Sequence, residues 1–438
     1  MIRIRNLTLW LLVLAILSGC VMGSRDIAEP KEPVIQENTN TDDVLISTQQ
    51  ASVQEEAVLD EITLETKRIS LLSVGDIMMH VYQLRRGYDG TSFDFSDAFR
   101  YVAPIIQAGD LAVGNLETTF GGEGTHRVKN EKTAFKGYSG YPTFNTPDIL
   151  AKNIKDAGFD LVSTANNHSL DTGTKGLLRT LEILNQNQIA YIGTHGSQTD
   201  ADIIKTVEVD GIELAMISYT YGMNGFTLKE DEDYMVNHLN MYDKNYVNEM
   251  LEKVALAKKT TDGLVVVMLH YGNEYKAFPD ENYQKPIVNQ LFEAGADIIL
   301  GGHPHVLQPL AMREIVEEDG TTRVGVVIYS LGNFISSQRN VDGLGPHKDI
   351  GLIFEVVVEQ VGDQRPEIVE VAYTPTYTHW SEEVISVIPT LKVPDDLILK
   401  GTDSNRILYA NTTMMDHMKH YMEDEPTFDG LFYRFQIK

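Results

Sequence analysis

A chain of 438 residues, 42% of them hydrophobic, has material for one large domain with extensions or for two medium domains. Its formal net charge of −27 argues against nucleic acid as a partner. Phosphate backbones are held by clustered Lys and Arg, and no basic stripe with interleaved aromatics occurs in the chain.

The first element is an export signal. Arg3 and Arg5 form a positive region, residues 9–17 an apolar run, and small residues follow. That run is shorter than a membrane span requires. Leu17-Ser18-Gly19-Cys20 reads as a lipobox, and Cys20 is the single cysteine of the chain, which excludes a disulfide framework. The plainer alternative is a signal anchor with an incidental cysteine. Residues 1–20 are therefore expected to be a lipoprotein signal peptide, cleaved before Cys20, with lipid on its thiol. The mature protein would then sit on the extracytoplasmic face of a cell membrane, held there by the N-terminal lipid. Residues 21–66 carry Pro30, Pro33, many polar residues and an acidic excess over Arg25 and Lys31. Such a stretch buries too little apolar surface to offset its ordering entropy, so a disordered acidic tether is expected.

From Arg68 onward strands and helices alternate. Residues 69–74 form a strand ending at Gly75-Asp76, and Ser96 is expected to cap one helix through Phe99, Val102 and Ile106, closed near Gly109. Residues 111–113 form a short buried strand leading to Asn115 and Glu117. Thr146-Pro147 starts a helix with Ile149, Leu150 and Ile154 on one face, and the 159–163 strand runs directly into Asn166-Asn167-His168. A helix at 176–186 and a strand at 190–193 follow. The second series places strands at 212–219, 264–269, 296–300 and 324–329, helices at 246–259 and 287–294, and closing strands at 351–358 and 368–373. This order predicts a layered α/β domain over 67–375. Residues 376–438 read as a C-terminal extension with at least one helix near 411–421.

Six polar motifs follow apolar runs, and strand carboxyl ends line the crevice where open α/β sheets bind ligands. They are Gly75-Asp76, Asn115-Leu116-Glu117, Asn166-Asn167-His168, His270-Tyr271-Gly272, Gly302-His303-Pro304-His305 and Ser330-Leu331-Gly332-Asn333-Phe334. Asp, Glu, Asn and His are the donors that hard or borderline divalent metals accept. His303 and His305 form the strongest local signal, since alternate residues of an extended segment point the same way. Taken singly, His270 reads as a core histidine, and Asp76 and Glu117 as helix caps or lysine partners; jointly the six point to a metal site. Glu274, four residues after His270, reads as a carboxylate that orients a ligating His or as a general base. Lys136 and Lys175 read as solvated lysines or as contacts to an anionic substrate, and no phosphate loop or serine-hydrolase elbow occurs.

These motifs, in this order from about residue 69 to about 374 and with Asp171 and Gly173 after the third, resemble the CapA capsule-biosynthesis family, which is related to calcineurin-like metallophosphoesterases. The resemblance implies a four-layer α-β-β-α sandwich with mixed sheets and a divalent metal (Mn, Zn, Fe or Mg; one or two ions) at one edge. It implies Asp76, Glu117, Asn167, His270, His303 and His305 as metal ligands. His168 would act as the acid or phosphate-orienting group, beside Asp76 and Glu274 as catalytic residues. Two departures stand out: Met78 occupies the position of the histidine in the phosphoesterase Asp-x-His motif, with His80 two residues further on, and Glu117 replaces a shorter bridging Asp.

The expected function is a lipid-anchored protein of poly-γ-glutamate-type capsule biosynthesis or export. It would be a metal-dependent hydrolase or transferase acting on a phosphate-linked or polyglutamate substrate, with capsule-synthesis membrane proteins as partners. The alternatives are a non-catalytic accessory or polymer-binding subunit, which Met78 favours, and a transporter's solute-binding lipoprotein, which gives no reason for metal-type donors at strand ends.

Overall fold

The computed structural model describes residues 64–125, 132–240, 243–339 and 347–437. The expected leader, Cys20 and the tether up to residue 63 lie outside the described residues.

The first half contains β1 (Thr66–Ile77), α1 (Val81–Arg86), α2 (Ser96–Phe99), α3 (Ala103–Ile106), β2 (Leu111–Leu116), the hairpin β3 (Ala134–Phe135) and β4 (Tyr138–Ser139), α4 (Ile149–Asp156), β5 (Leu161–Ser163), α5 (Gly173–Gln186) and β6 (Ala190–Ile192). The second half begins with α6 (Gln198–Asp202), β7 (Lys205–Val209), β8 (Ile212–Thr220), α7 (Lys244–Thr260), β9 (Leu264–His270), α8 (Gln284–Ala294), β10 (Ile298–Gly302), β11 (Leu307–Val316) and β12 (Thr322–Leu331). It closes with β13 (Asn333–Ile335), β14 (Ile350–Val361), β15 (Glu367–Trp380), β16 (Ile385–Pro389), α9 (Gly401–Asn411), α10 (Thr413–Met418), β17 (Thr427–Phe428) and β18 (Tyr433–Gln436).

Two differences from the sequence reading have local causes. The single helix expected after Ser96 is two short ones, because Pro104 has no N–H to continue the ladder and sits instead in the first turn of α3. The expected boundary at 375 falls inside β15, whose apolar alternation continues to Trp380 and pairs with both β16 and β18.

The strands form two large sheets. One has ten strands in the order β17-β18-β15-β14-β1-β2-β5-β6, with β13 on β1 and β16 on β15; the other runs β11-β12-β10-β9-β8-β7. The centre of each is parallel, β1-β2-β5-β6 in the first and β8-β9-β10-β12 in the second, while antiparallel strands flank them. Successive side chains on each strand point to opposite faces. Leu71, Val113 and Leu161 of the larger sheet therefore meet Leu214, Val266, Ile298 and Ile328 of the smaller one in a dry core. The alternate residues face outward: Leu72, Val74 and Val162 pack on Phe99, Ile106, Leu150 and Leu177, and Val265, Val267 and Ile299 pack on Met250, Val254, Val288 and Leu291. Helix, sheet, sheet and helix make the expected four-layer α-β-β-α sandwich with mixed sheets.

The parallel centres aim their carboxyl ends at one edge. There β1 and the β12–β13 junction cross closely: Asp76 N–H donates to Gly332 O at 3.0 Å. A Cβ on Gly75 would lie 1.9 Å from that same oxygen, so glycine is required there, and Gly332, at φ +65°, sits in backbone that favours glycine.

Candidate metal centre

Asp76, next to last in β1, lies beside Asn115 on one side and Asn333 on the other, and its carboxylate is wholly buried. Asn115 donates to its Oδ1 at 2.7 Å, and His305 Nδ1 lies 3.1 Å from its Oδ2. The same Nδ1 is 3.0 Å from Asn333 Oδ1. Facing two oxygen acceptors, Nδ1 of His305 carries the proton, which leaves its Nε2 with a free lone pair. His270 Nδ1 stands 3.2 Å from the Asn115 amide nitrogen, and its Nε2 stands 2.9 Å from Asn167 Oδ1. Asparagines thus set the orientation of both imidazoles.

Glu117, just beyond β2, is also wholly buried, yet neither of its oxygens has a hydrogen-bond partner among the described residues. Around Oε1 stand His270 Nε2 at 3.6 Å, His168 Nε2 at 3.8 Å and His305 Nε2 at 4.0 Å. These gaps are too long for hydrogen bonds and too short for water-filled space. Burial, then the carboxylates of Asp76, Glu274 and Asp171, push the Glu117 pKa well above its usual range. Burial, then neighbouring imidazoles, hold His270 and His303 well below theirs. Acidic oxygens crowded together beside imidazoles kept neutral are the donor chemistry of a divalent cation site.

Two sets of donor atoms lie within ion-binding range of one another, each spanning no more than 4.8 Å: Asp76 with Glu117 and His270, and Glu274 with His303 and His305. The residues therefore fit a divalent cation. Glu274, an exposed side chain, belongs to an ion-sized group, a place the sequence reading did not give it. His303 and His305 converge by a different route from the expected one. Their φ values are +91° and +58°, so left-handed turns and not strand alternation bring the rings within 5.9 Å of each other. Such backbone is strained for a residue with a Cβ and concentrates at functional sites.

On the far side of Glu117, His168 is fixed by Asp171. Its Nδ1 lies 2.7 Å from Asp171 Oδ2, an oxygen that also accepts from the Phe144 N–H, so Nε2 is the atom turned toward Glu117. The phenyl ring of Phe144 meets the His168 ring edge-on at 4.7 Å and the His80 ring at 5.0 Å. Met78 is buried in the core at 1% exposure and offers only a soft thioether in place of an imidazole. His80 lies in electrostatic reach of His305 and His168, and burial followed by those two rings lowers its pKa to about 3.

The sequence-predicted metal and catalytic residues Asp76, Glu117, Asn167, His168, His270, Glu274, His303 and His305 lie at this edge, whereas Cys20 lies outside the described residues. Two others come from the loop after β8. Tyr221 packs its ring 4.4 Å from that of His303, and Asn224 accepts from the Asn167 amide at 3.1 Å. Burial, then Glu274 and Glu117, raise the Tyr221 pKa to about 12. The strand-end rule that found the other motifs points to them as well, because β8 is a central parallel strand with the same polarity.

A four-layer sandwich with a buried carboxylate–imidazole cluster at its strand ends makes this an α/β protein with a candidate metal centre. Residues 70–338 match the family described as "Bacterial capsule synthesis protein PGA_cap", and the chain belongs to that family. It is 30% identical over 281 residues to "Capsule biosynthesis protein CapA" of Bacillus anthracis, covering 63% of this chain and 61% of that one. It is 33% identical over 276 residues to "PGA biosynthesis protein CapA" of Bacillus subtilis (strain 168), covering 62% and 64%. The similarity thus spans less than two thirds of either relative. Among solved structures, the calcineurin-like phosphoesterase YfkN from Bacillus subtilis overlaps 82% of this chain and 100% of its own, at 12% identity and a TM-score of 0.38, too low to define a shared fold.

Proposed function

We propose that this protein is a metal-dependent hydrolase or transferase of capsule biosynthesis, lipid-anchored through Cys20 and acting outside the cell membrane on an anionic, phosphate-linked or polyglutamate substrate. The observation that carries the reading is the Glu117 carboxylate, fully buried with both oxygens unpartnered and three imidazole nitrogens at 3.6–4.0 Å. A side chain so placed costs about 1–3 kcal/mol unless a cation accompanies it. Asp76, Glu117 and His270, with Asn167 Oδ1 adjacent, would hold one ion; His303, His305 and Glu274 would hold a second.

When bound, such an ion polarises the scissile group and lowers the pKa of a water, supplying a nucleophile near neutral pH. The chain's own residues do the rest. Asn115 and Asn333 hold Asp76 and His305 in register. His168, oriented by Asp171, presents Nε2 to the reacting centre and protonates the leaving oxygen. Tyr221 and Phe144 wall the imidazoles and exclude water. The relatives named for capsule and PGA biosynthesis support the pathway assignment. No helix among the described residues is long and apolar enough to cross a membrane.

A second reading, a non-catalytic metal- or polymer-binding subunit of a membrane synthesis complex, is favoured by Met78, a buried thioether where the phosphoesterase pattern has a ligand. The test loads purified protein with Mn²⁺ or Zn²⁺ and assays model phosphoesters and γ-glutamyl polymer, beside Asn167→Ala and His303→Ala. Turnover lost in both variants supports the enzyme. Equal activity in all three proteins removes the site, and metal binding without turnover in the parent selects the subunit.

A further inference from the structure

We propose that Arg86, Arg339 and Trp380 form a subsite for an anionic linear polymer beside the metal centre. The inference rests on the polymer-directed reading above and says where the chain is held.

The surface of a protein with net charge −27 repels polyanions unless cations gather locally. They gather around α1. The Arg86 guanidinium lies 5.2 Å from the Trp380 ring centroid and that of Arg339 lies 4.7 Å from it. Nearby, Arg85 stands 6.0 Å over Phe135, and Lys136 stands 5.0 Å over Tyr88. Tyr82, 49% exposed, has its ring 5.5 Å from that of Trp380.

Both arginines are carried by segments that leave the metal centre. Arg86 ends the helix that starts directly after His80, about 9 Å further on at 1.5 Å per residue. Arg339 follows β13, whose Asn333 holds His305. The two segments are tied together: Ser337 N–H donates to His80 Nδ1 at 3.3 Å, and the Ser337 hydroxyl bonds Gln83 Oε1. A ligand lying across Trp380 would thus rest on segments that both lead back to the strand ends.

The charge balance of Arg86 points to an anion. Several other arginines have carboxylate partners: Arg179 with Asp148, Arg406 with Asp349, and Arg434 with Glu355, Glu370 and Asp429. Arg86 has none among the described residues. Its Nε donates to Ser381 O at 3.2 Å, and burial together with the neighbouring Arg339 cation holds its pKa below the usual value. Two further donors in this region lack acceptors, the indole Nε1 of Trp380 and the amide Nε2 of Gln83, whose side chain is 3% exposed. A purely structural stack of cations on aromatic rings explains the packing. It gives no reason to bring two guanidiniums to one indole and leave buried N–H groups unpaired. A chain rich in carboxylates or phosphates satisfies both: the guanidiniums grip the anions, and the indole face takes the aliphatic spacer.

The chain contains two tryptophans, Trp10 and Trp380, so in a full-length Trp10→Phe protein the emission reports on Trp380 alone. That protein is titrated with γ-linked polyglutamate and, in a parallel arm, with inorganic polyphosphate. We expect a saturable change in emission with at least one polymer, suppressed by salt, and the tighter arm identifies the anion. Arg86→Gln and Arg339→Gln should each weaken binding about tenfold. Both arginine variants should retain the metal content of the parent. Unchanged polymer affinity in the double arginine variant overturns the proposal, as does an equal emission change with anionic phospholipid vesicles and none with either polymer. Failure of metal loading would sink the catalytic reading while leaving the polymer titration readable, so the two failures are distinguishable.

Discussion

Replacing Glu117 by Gln tests the metal centre through stability alone. The substitution keeps side-chain volume, so no cavity term enters, and it removes the one buried carboxylate with no hydrogen bond among the described residues. In metal-free protein the folded-state pKa of Glu117 lies above the unfolded value of 4.5. The stability linked to that proton is complete below the unfolded value and is lost as pH rises through the folded one. Parent and variant should therefore have similar stability at pH 4. At pH 8 in chelator the variant should be the more stable by about 1.4 kcal/mol for each pH unit by which folding raises that pKa. Adding Mn²⁺ reverses the order. The parent gains about 2.7 kcal/mol at 100 times its dissociation constant, whereas the variant, with a charged donor replaced by a neutral one, gains little. Urea unfolding with and without metal at both pH values reads all four numbers. A variant less stable than the parent in chelator at every pH, or equally stabilised by Mn²⁺, refutes the idea that Glu117 awaits a cation.

Three other perturbations follow from the same geometry. Asp171→Asn leaves the metal donors untouched but frees His168, so turnover on a phosphoester should fall about 100-fold or more at unchanged metal content; unaltered turnover would show that His168 needs no orienting partner. Gly75→Ala drives a Cβ to 1.9 Å from Gly332 O and should cost about 4 kcal/mol or more, seen as insoluble protein or a collapsed melting transition. Asp297 accepts from Val265 N–H at 2.8 Å and pairs with Arg323 at 3.1 Å and Arg365 at 2.8 Å, so Asp297→Ala leaves that buried amide without its acceptor while Arg323 keeps Glu317. The expected loss is about 1–3 kcal/mol by urea unfolding, and no measurable loss would show that water replaces the carboxylate.

The alternation of apolar runs with helical segments, and the polar residue closing each run, were legible because strand periodicity and strand ends are local properties. They assign Asp76, Glu117, His270 and His303 to strand ends of a layered α/β fold. The chemistry of the site was legible for the same reason, since donor type is written in the residue. Partnership was not. That Asn115 and Asn333 orient Asp76 and His305, that Asp171 holds His168, and that Glu274 joins the two histidines depend on residues up to 229 positions apart being placed by sheet order. The left-handed backbone at His303 and His305 was hidden likewise, because the surrounding packing, and no local preference, holds a non-glycine residue there. Helix ends were blurred by Pro104, and residues 376–438 read as an appendage because the strand that recruits β16 and β18 lies earlier in the chain. Sequence decided which atoms were offered; only the crossing of two sheets at Gly75 and Gly332 decided which of them face one another.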